Sequence, residues 1–174
     1  ALNDNDPAAA EKQYRAALAL RPASAEALDG LAGALQRERQ PAFAVPLYRS
    51  AVRANPASAE GWRGLMLAQA AAGNAAEALA TDRQIPSAVQ AELMRDPSYL
   101  RGMASVYSAL GRGLDAEKTL RAALQLPFPP QAGKLKTGMQ VQLAGLLLAG
   151  NQLPQAAALY SQGLALDQVN TAVG

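Results

Sequence analysis

Residues 10–22 read AEKQYRAALALRP and residues 44–56 read AVPLYRSAVRANP. Ala10, Tyr14, Ala17 and Pro22 return as Ala44, Tyr48, Ala51 and Pro56, with every number raised by the same step of 34. Between the two copies, Leu28, Leu31, Ala32 and Leu35 advance by the three- and four-residue steps of one helix face. Trp62, Leu65, Met66 and, imperfectly, Gln69 repeat that face one such step later. Self-similarity at this period signifies stacked helix pairs, each of which buries its apolar stripe only against its neighbours.

Followed outward, the frame gives five anchor alanines, Ala10, Ala44, Ala78, Ala116 and Ala156, at successive steps of 34, 34, 38 and 40. A third unit reads Leu100, Met103, Ala104, Tyr107, Gly111, Ala116, Leu120 and Ala123, and a fourth reads Leu143, Ala144, Leu147, Gly150, Ala156, Tyr160 and Gly163. Alanine at a crossing point lets two helix axes approach to roughly 8–10 Å. Tyr14, Tyr48, Tyr160 and Trp62 are expected as core wedges between units. Gly73, Gly111 and Gly150 are expected to take the left-handed conformation that closes the first helix of a pair. Pro22 and Pro56 end second helices, whereas Pro46 falls inside one and removes a hydrogen bond there at ~3 kcal/mol unless the helix kinks.

Composition agrees. The chain holds 41 alanines and 26 leucines against 8 valines and isoleucines together, which favours helices and disfavours sheets. It has no cysteine and no histidine, so disulfides, thiolate or imidazole metal sites and histidine general bases are all absent. A net charge of +2 from 16 basic and 14 acidic residues does not point to a nucleic-acid ligand. No apolar run approaches the roughly 18 residues needed to span a bilayer.

The order of large residue, leucine, small residue, turn glycine, alanine, aromatic, alanine and proline resembles the tetratricopeptide repeat. That resemblance implies an all-α fold, a right-handed α-solenoid of antiparallel helix pairs, from which this chain departs by longer junctions after the second and third complete units. Residues 1–24 are read as the second helix of a truncated first repeat, 25–58 as one repeat, and 59–96 as a repeat with a helical insertion over 85–96. Residues 97–136 form a repeat with a proline-rich junction at 127–136, and 137–174 the last repeat. The chain is expected to be a piece of a longer array whose incomplete first pair offers a surface for self-association.

Catalytic constellations are lacking. Gly133-Lys134 has Phe128 and Leu135 where a phosphate loop needs glycine and a hydroxyl residue. Asp115 and Glu117 are two apart on a helix and diverge. Asp4 and Asp6 with Asn3 and Asn5 lead into Pro7 and a helix, the pattern of an N-cap and not of a calcium loop. No cofactor and no metal site is expected.

The remaining candidates lie on the first helices, which in such an array line the concave face. By the frame these are Glu26, Asp29, Gly33, Gln36 and Arg37, then Glu60, Arg63, Leu67 and Ala70, then Ser98, Arg101, Ser105 and Ser108. Gly138, Val141, Gly145 and Leu148 continue the series. Arg63 and Arg101 occupy equivalent positions and are expected either to hold one acidic side chain of a partner or to form ordinary surface pairs with Glu60 and its neighbours.

Ile85-Pro86, residues 95–100 (RDPSYL), Leu126-Pro127 and residues 142–147 (QLAGLL) are similar to the repeat region of bacterial cellulose synthase operon protein C and related exopolysaccharide-export proteins. This resemblance implies a non-enzymatic scaffold with protein partners in the periplasm. A cytosolic adaptor that binds a short acidic peptide stays open as an alternative. So does direct carbohydrate binding, for which Tyr99 at the groove edge is the one aromatic available. No nucleic acid and no membrane span belong to any of these readings.

Overall fold

The computed structural model describes residues 6–172. Among them are ten α-helices, one short 3-10 turn and no strand. They fall into two compact units, Ala1–Leu93 and Met94–Gly174. Asn3, Asp4, Asn5 and Val173 lie outside the described residues.

The first unit contains α1 (Pro7–Leu20), α2 (Ala25–Arg37), α3 (Pro41–Ala54), α4 (Ala59–Ala71), α5 (Ala75–Asp82) and α6 (Ser87–Leu93). Consecutive helices pack side by side from α1 through α5, as short connections between antiparallel neighbours dictate. Three of the starts are capped by a side chain: Asp6 accepts from the Ala9 amide, Ser24 from Ala27 and Ser58 from Gly61. Each such bond satisfies one of the amides that a helix start leaves unpaired. Asp6 therefore serves the helix, as the sequence implied.

The second unit contains α7 (Pro97–Ala109), α8 (Gly113–Leu124), the 3-10 turn at Pro130–Ala132, α9 (Gly133–Ala149) and α10 (Leu153–Ala172). Its core holds Tyr99, Met103, Leu120, Met139, Leu143 and Leu147. Removing such side chains from water stabilises by roughly 1.5–3 kcal/mol each. Ala44, Ala78, Ala116 and Ala156 have no exposed surface at all, as the repeat frame requires.

Every first helix ends in the same turn. The amides of Gln40, Asn74, Arg112 and Gln152 donate to the carbonyls of Leu35, Gln69, Tyr107 and Leu147, at 2.7–2.9 Å. This bond needs a left-handed residue just before the donor. Arg39 (φ 60°), Gly73 (φ 84°), Gly111 (φ 72°) and Asn151 (φ 59°) supply it. The expectation for Gly150 is thus corrected by one position: Gly150 keeps φ −85° and Asn151 takes the left-handed conformation. The steps between these four positions repeat those between the anchor alanines from Ala44 onward.

The break at Pro86 is present, and the segment after it forms α6, which packs on α4 and buries Ile85, Val89 and Leu93. The junction at 127–136 is shorter than expected, because Gly133–Lys136 are already helical and lengthen α9 by a turn. Pro46 sits on the exposed face of α3, which runs through it from Pro41 to Ala54.

Candidate functional site

In the first unit the residues expected on the first-helix face converge. Glu26, Asp29, Gly33 and Arg37 from α2 and Glu60 from α4 line a cavity of about 420 Å³ together with Tyr14, Tyr48, Asn55 and Ser58. Its walls follow from local sequence. Tyr14 lies against Gly30 and Tyr48 against Gly64, so each ring occupies space that any other residue would fill. The Tyr48 hydroxyl donates to Gln36 Oε1 at 3.1 Å, which fixes the ring and accounts for Gln36.

Asp29 is half-buried beside the first turn of α4, where its Oδ1 would lie 3.3 Å from a Cβ on Gly61. That oxygen is buried and has no hydrogen-bond partner among the described residues. Burial, and then the charge of Glu60, push the carboxyl up to about 6, against a hydrogen bond from Ser58 that pulls it down. Burial also pushes the Tyr48 phenol up to about 12, with Asp29 and Glu60 adding to the shift and Arg63 and Arg37 opposing it. Arg63 reaches Glu60 at 3.8 Å, the surface pair weighed for it. Leu67 is half-buried on α4.

The second unit presents a different face. Ser98 gives its amide to the Asp96 cap at 2.8 Å. Ser105 and Ser108 return their hydroxyls to the carbonyls of Arg101 and Ala104, and Ser105 accepts from Gln142 at 3.1 Å. The exposed Arg101 lays its guanidinium over Gly138, 3.1–3.4 Å from where a Cβ would stand. Val141 and Leu148 are exposed on α9. Tyr99 is corrected outright: it is fully buried in this unit's core and offers nothing to a sugar.

Several residues were missed. Arg49 pairs with Glu77 and so joins α3 to α5. Arg121 Nη2 donates to Gln155 Oε1 at 3.0 Å and joins α8 to α10. In both cases the arginine is five residues after one anchor alanine and its partner one residue before the next, a periodicity visible in the sequence once the frame is drawn. Two further clefts lie beside these bonds. One of about 450 Å³ contains Arg49, Trp62 and Gln69, and one of about 560 Å³ contains Arg121, Gln140 and Leu159. Trp62 is nonetheless a core residue, its indole N–H donating to the Pro56 carbonyl at 2.8 Å.

Among the described residues, no group of three or more histidine, cysteine, aspartate or glutamate side chains is placed to hold a metal ion. Among the same residues, no helix is long and apolar enough to cross a membrane.

No protein-family model matches the chain, and no curated protein matches it. Solved structures do. MamA of Desulfovibrio magneticus RS-1 is similar over 95% of this chain and 88% of its own, with a TM-score of 0.75 at 13% identity. The thermophilic TPR protein TTC0263 of Thermus thermophilus is similar over 92% and 82%, with a TM-score of 0.70 at 24% identity. Pseudomonas aeruginosa PilF is similar over 88% and 68%, with a TM-score of 0.69 at 19% identity. At these identities the likeness is one of fold, and it carries the tetratricopeptide architecture.

Proposed function

We propose that this chain is a non-enzymatic scaffold that binds a segment of a protein partner along its first-helix faces. The observation that carries the reading is the convergence of Glu26, Asp29, Arg37 and Glu60 on one cavity walled by two tyrosines. Charged groups of both signs around an open polar cleft orient a polypeptide, and hold it by a few contacts, without activating a bond. The faces differ by unit: α2 and α4 offer carboxylates and arginines, α7 offers Arg101 with the occupied hydroxyls of Ser105 and Ser108, and α9 offers aliphatic side chains.

The finer reading is that the partner belongs to bacterial exopolysaccharide synthesis and export, with the array in the periplasm. Its support is the four short motifs between residues 85 and 147. Ile85, Tyr99, Leu100, Leu143, Ala144 and Leu147 within them are core residues, so what the motifs share with that group is packing. A cytosolic adaptor for an acidic segment is the second reading, and the exposed Arg101 favours it.

The test is a pull-down from native extract with the intact chain and two variants, Arg37→Glu with Glu60→Lys, and Arg101→Glu. Loss of partners with the first pair supports the first-unit face, and loss with Arg101→Glu supports the acidic-segment reading. Recovery of the same partners by all three would remove both faces and point to the clefts beside Arg49 and Arg121.

A further inference from the structure

We infer that the cavity framed by Tyr14, Tyr48, Glu26, Asp29 and Glu60 receives a basic side chain of the partner, a lysine or an arginine. This rests on the reading that first-helix faces take a partner segment, and it reverses the sign of the group expected from Arg63 and Arg101.

Three observations carry it. Charge is the first: Glu26, Asp29 and Glu60 face the cavity or its rim, against Arg37 at the other end of α2 and Arg63, which is turned to Glu60. Glu26 is exposed and forms no ion pair among the described residues. An anionic guest would meet three carboxylates, one of them already desolvated. Shape is the second, since about 420 Å³ is within the size range of sites that enclose a small group, roughly 300–1,000 Å³. The third is the wall material. Tyr14 and Tyr48, each held over a glycine, line the cavity, and tyrosine is a residue type whose ring attracts ammonium and guanidinium groups.

Asp29 makes the site pH-sensitive. The charged and titratable groups around the same cavity are Glu26 and Arg37 on its own helix, Tyr14 from α1, Tyr48 from α3 and Glu60 from α4, with Arg63 of α4 acting on Tyr48 and Glu60. Its carboxyl is pushed up to about 6, so it is ionised at pH 7.5 and mostly neutral at pH 5. A guest cation prefers the ionised form, and linkage requires that binding tighten as pH rises through this range, by up to about tenfold. Bound cation in turn lowers the carboxyl toward its ordinary value.

The experiment uses the full chain, labelled with nitrogen-15, and four capped pentapeptides of sequence Gly-Ser-X-Ser-Gly in which X is lysine, arginine, glutamate or norleucine. Amide shifts are followed at pH 7.5 and pH 5.0. The lysine and arginine probes should move the amides of residues 26–33 and 58–61, with affinity several-fold to about tenfold weaker at pH 5.0. Glu26→Gln should weaken them at both pH values, and Asp29→Asn should abolish the pH dependence. A melting curve for each variant shows that it is folded. Equal shifts from all four probes, or the largest from glutamate, would overturn the inference yet leave the partner-binding reading intact. If no probe moves these amides the inference also falls, and the pull-down decides the broader reading separately.

Discussion

The ring of Tyr48 stands where a side chain on Gly64 would stand, so that a Cβ there would overlap the ring's Cε1 and Cζ. Tyr14 and Gly30 repeat the relationship one repeat earlier. In each case the second helix of one pair places its aromatic on the first helix of the next, and glycine is what permits the close approach. Stacking in the first unit therefore depends on a ring and a missing side chain, and the same rings become the walls of the cavity.

Gly64→Ala should destabilise the chain by about 1–3 kcal/mol, because the buried ring has to move to admit a methyl group. Gly145→Ala is the control. It lies in α9 with nothing within 4 Å of a new Cβ, and should stabilise by about 0.5–1 kcal/mol through helix propensity alone. Equal melting shifts of the same sign for the two would sink the packing account.

The four left-handed turn positions make a second pair of opposed expectations. Arg39→Gly removes the steric cost of a left-handed non-glycine residue and should stabilise by about 1 kcal/mol. Gly111→Ala introduces that cost and should destabilise by a similar amount. Denaturant midpoints, with unchanged slopes, measure both. A destabilising Arg39→Gly would mean that the arginine side chain makes a contribution larger than its backbone strain.

Much of this fold was legible because the repeat makes one physical demand several times. Ala44, Ala78, Ala116 and Ala156 had to be small and are fully buried. The misreadings arose where chemistry spoke less plainly than type. Gly150 drew the turn assignment away from Asn151, because glycine is the stronger left-handed former and asparagine the occasional one. Pro127, Pro129 and Pro130 suggested a loop, but proline also begins helices, and here the 3-10 turn leads straight into α9. Of the site, the first-helix positions of the first unit were legible from the frame. The environment of Asp29 was not, since its burial depends on α4, which the whole of α3 separates from it in the chain.

The Arg49–Glu77 pair should contribute little and do so electrostatically. Both side chains are more than two-fifths exposed, and pairs of this kind are worth about 0.2–1 kcal/mol. A double-mutant cycle with Arg49→Ala and Glu77→Ala should give a coupling of about 0.5 kcal/mol at low salt and clearly less at about 1 M sodium chloride. At the equivalent bond, Gln155→Glu should add a few tenths of a kcal/mol, with the same salt dependence. Coupling above about 2 kcal/mol, beyond the range of exposed pairs, would show the pair to be a structural latch between α3 and α5.

Asp29 gives stability its own pH dependence, with a sign opposite to that of most carboxylates. Its folded value, about 6, lies above its ordinary 3.8, so between these values the folded chain holds a proton that the unfolded chain has released. Stability from this group is therefore greatest below about pH 4 and is lost as pH rises toward 6 and beyond. The shift of roughly two units corresponds to at most about 3 kcal/mol, and because the group is half-exposed, solvent screening reduces this to about 1 kcal/mol. Asp29→Asn cannot ionise and keeps an acceptor for Ser58. Its melting temperature should match that of the unmodified chain near pH 4 and exceed it at pH 7.5. Both chains carry the same remaining acids, so their difference isolates Asp29. A difference that is constant from pH 4 to 7.5, or that grows toward acid, would show that the carboxylate is held by α4 as a favourable charge and not strained by its burial.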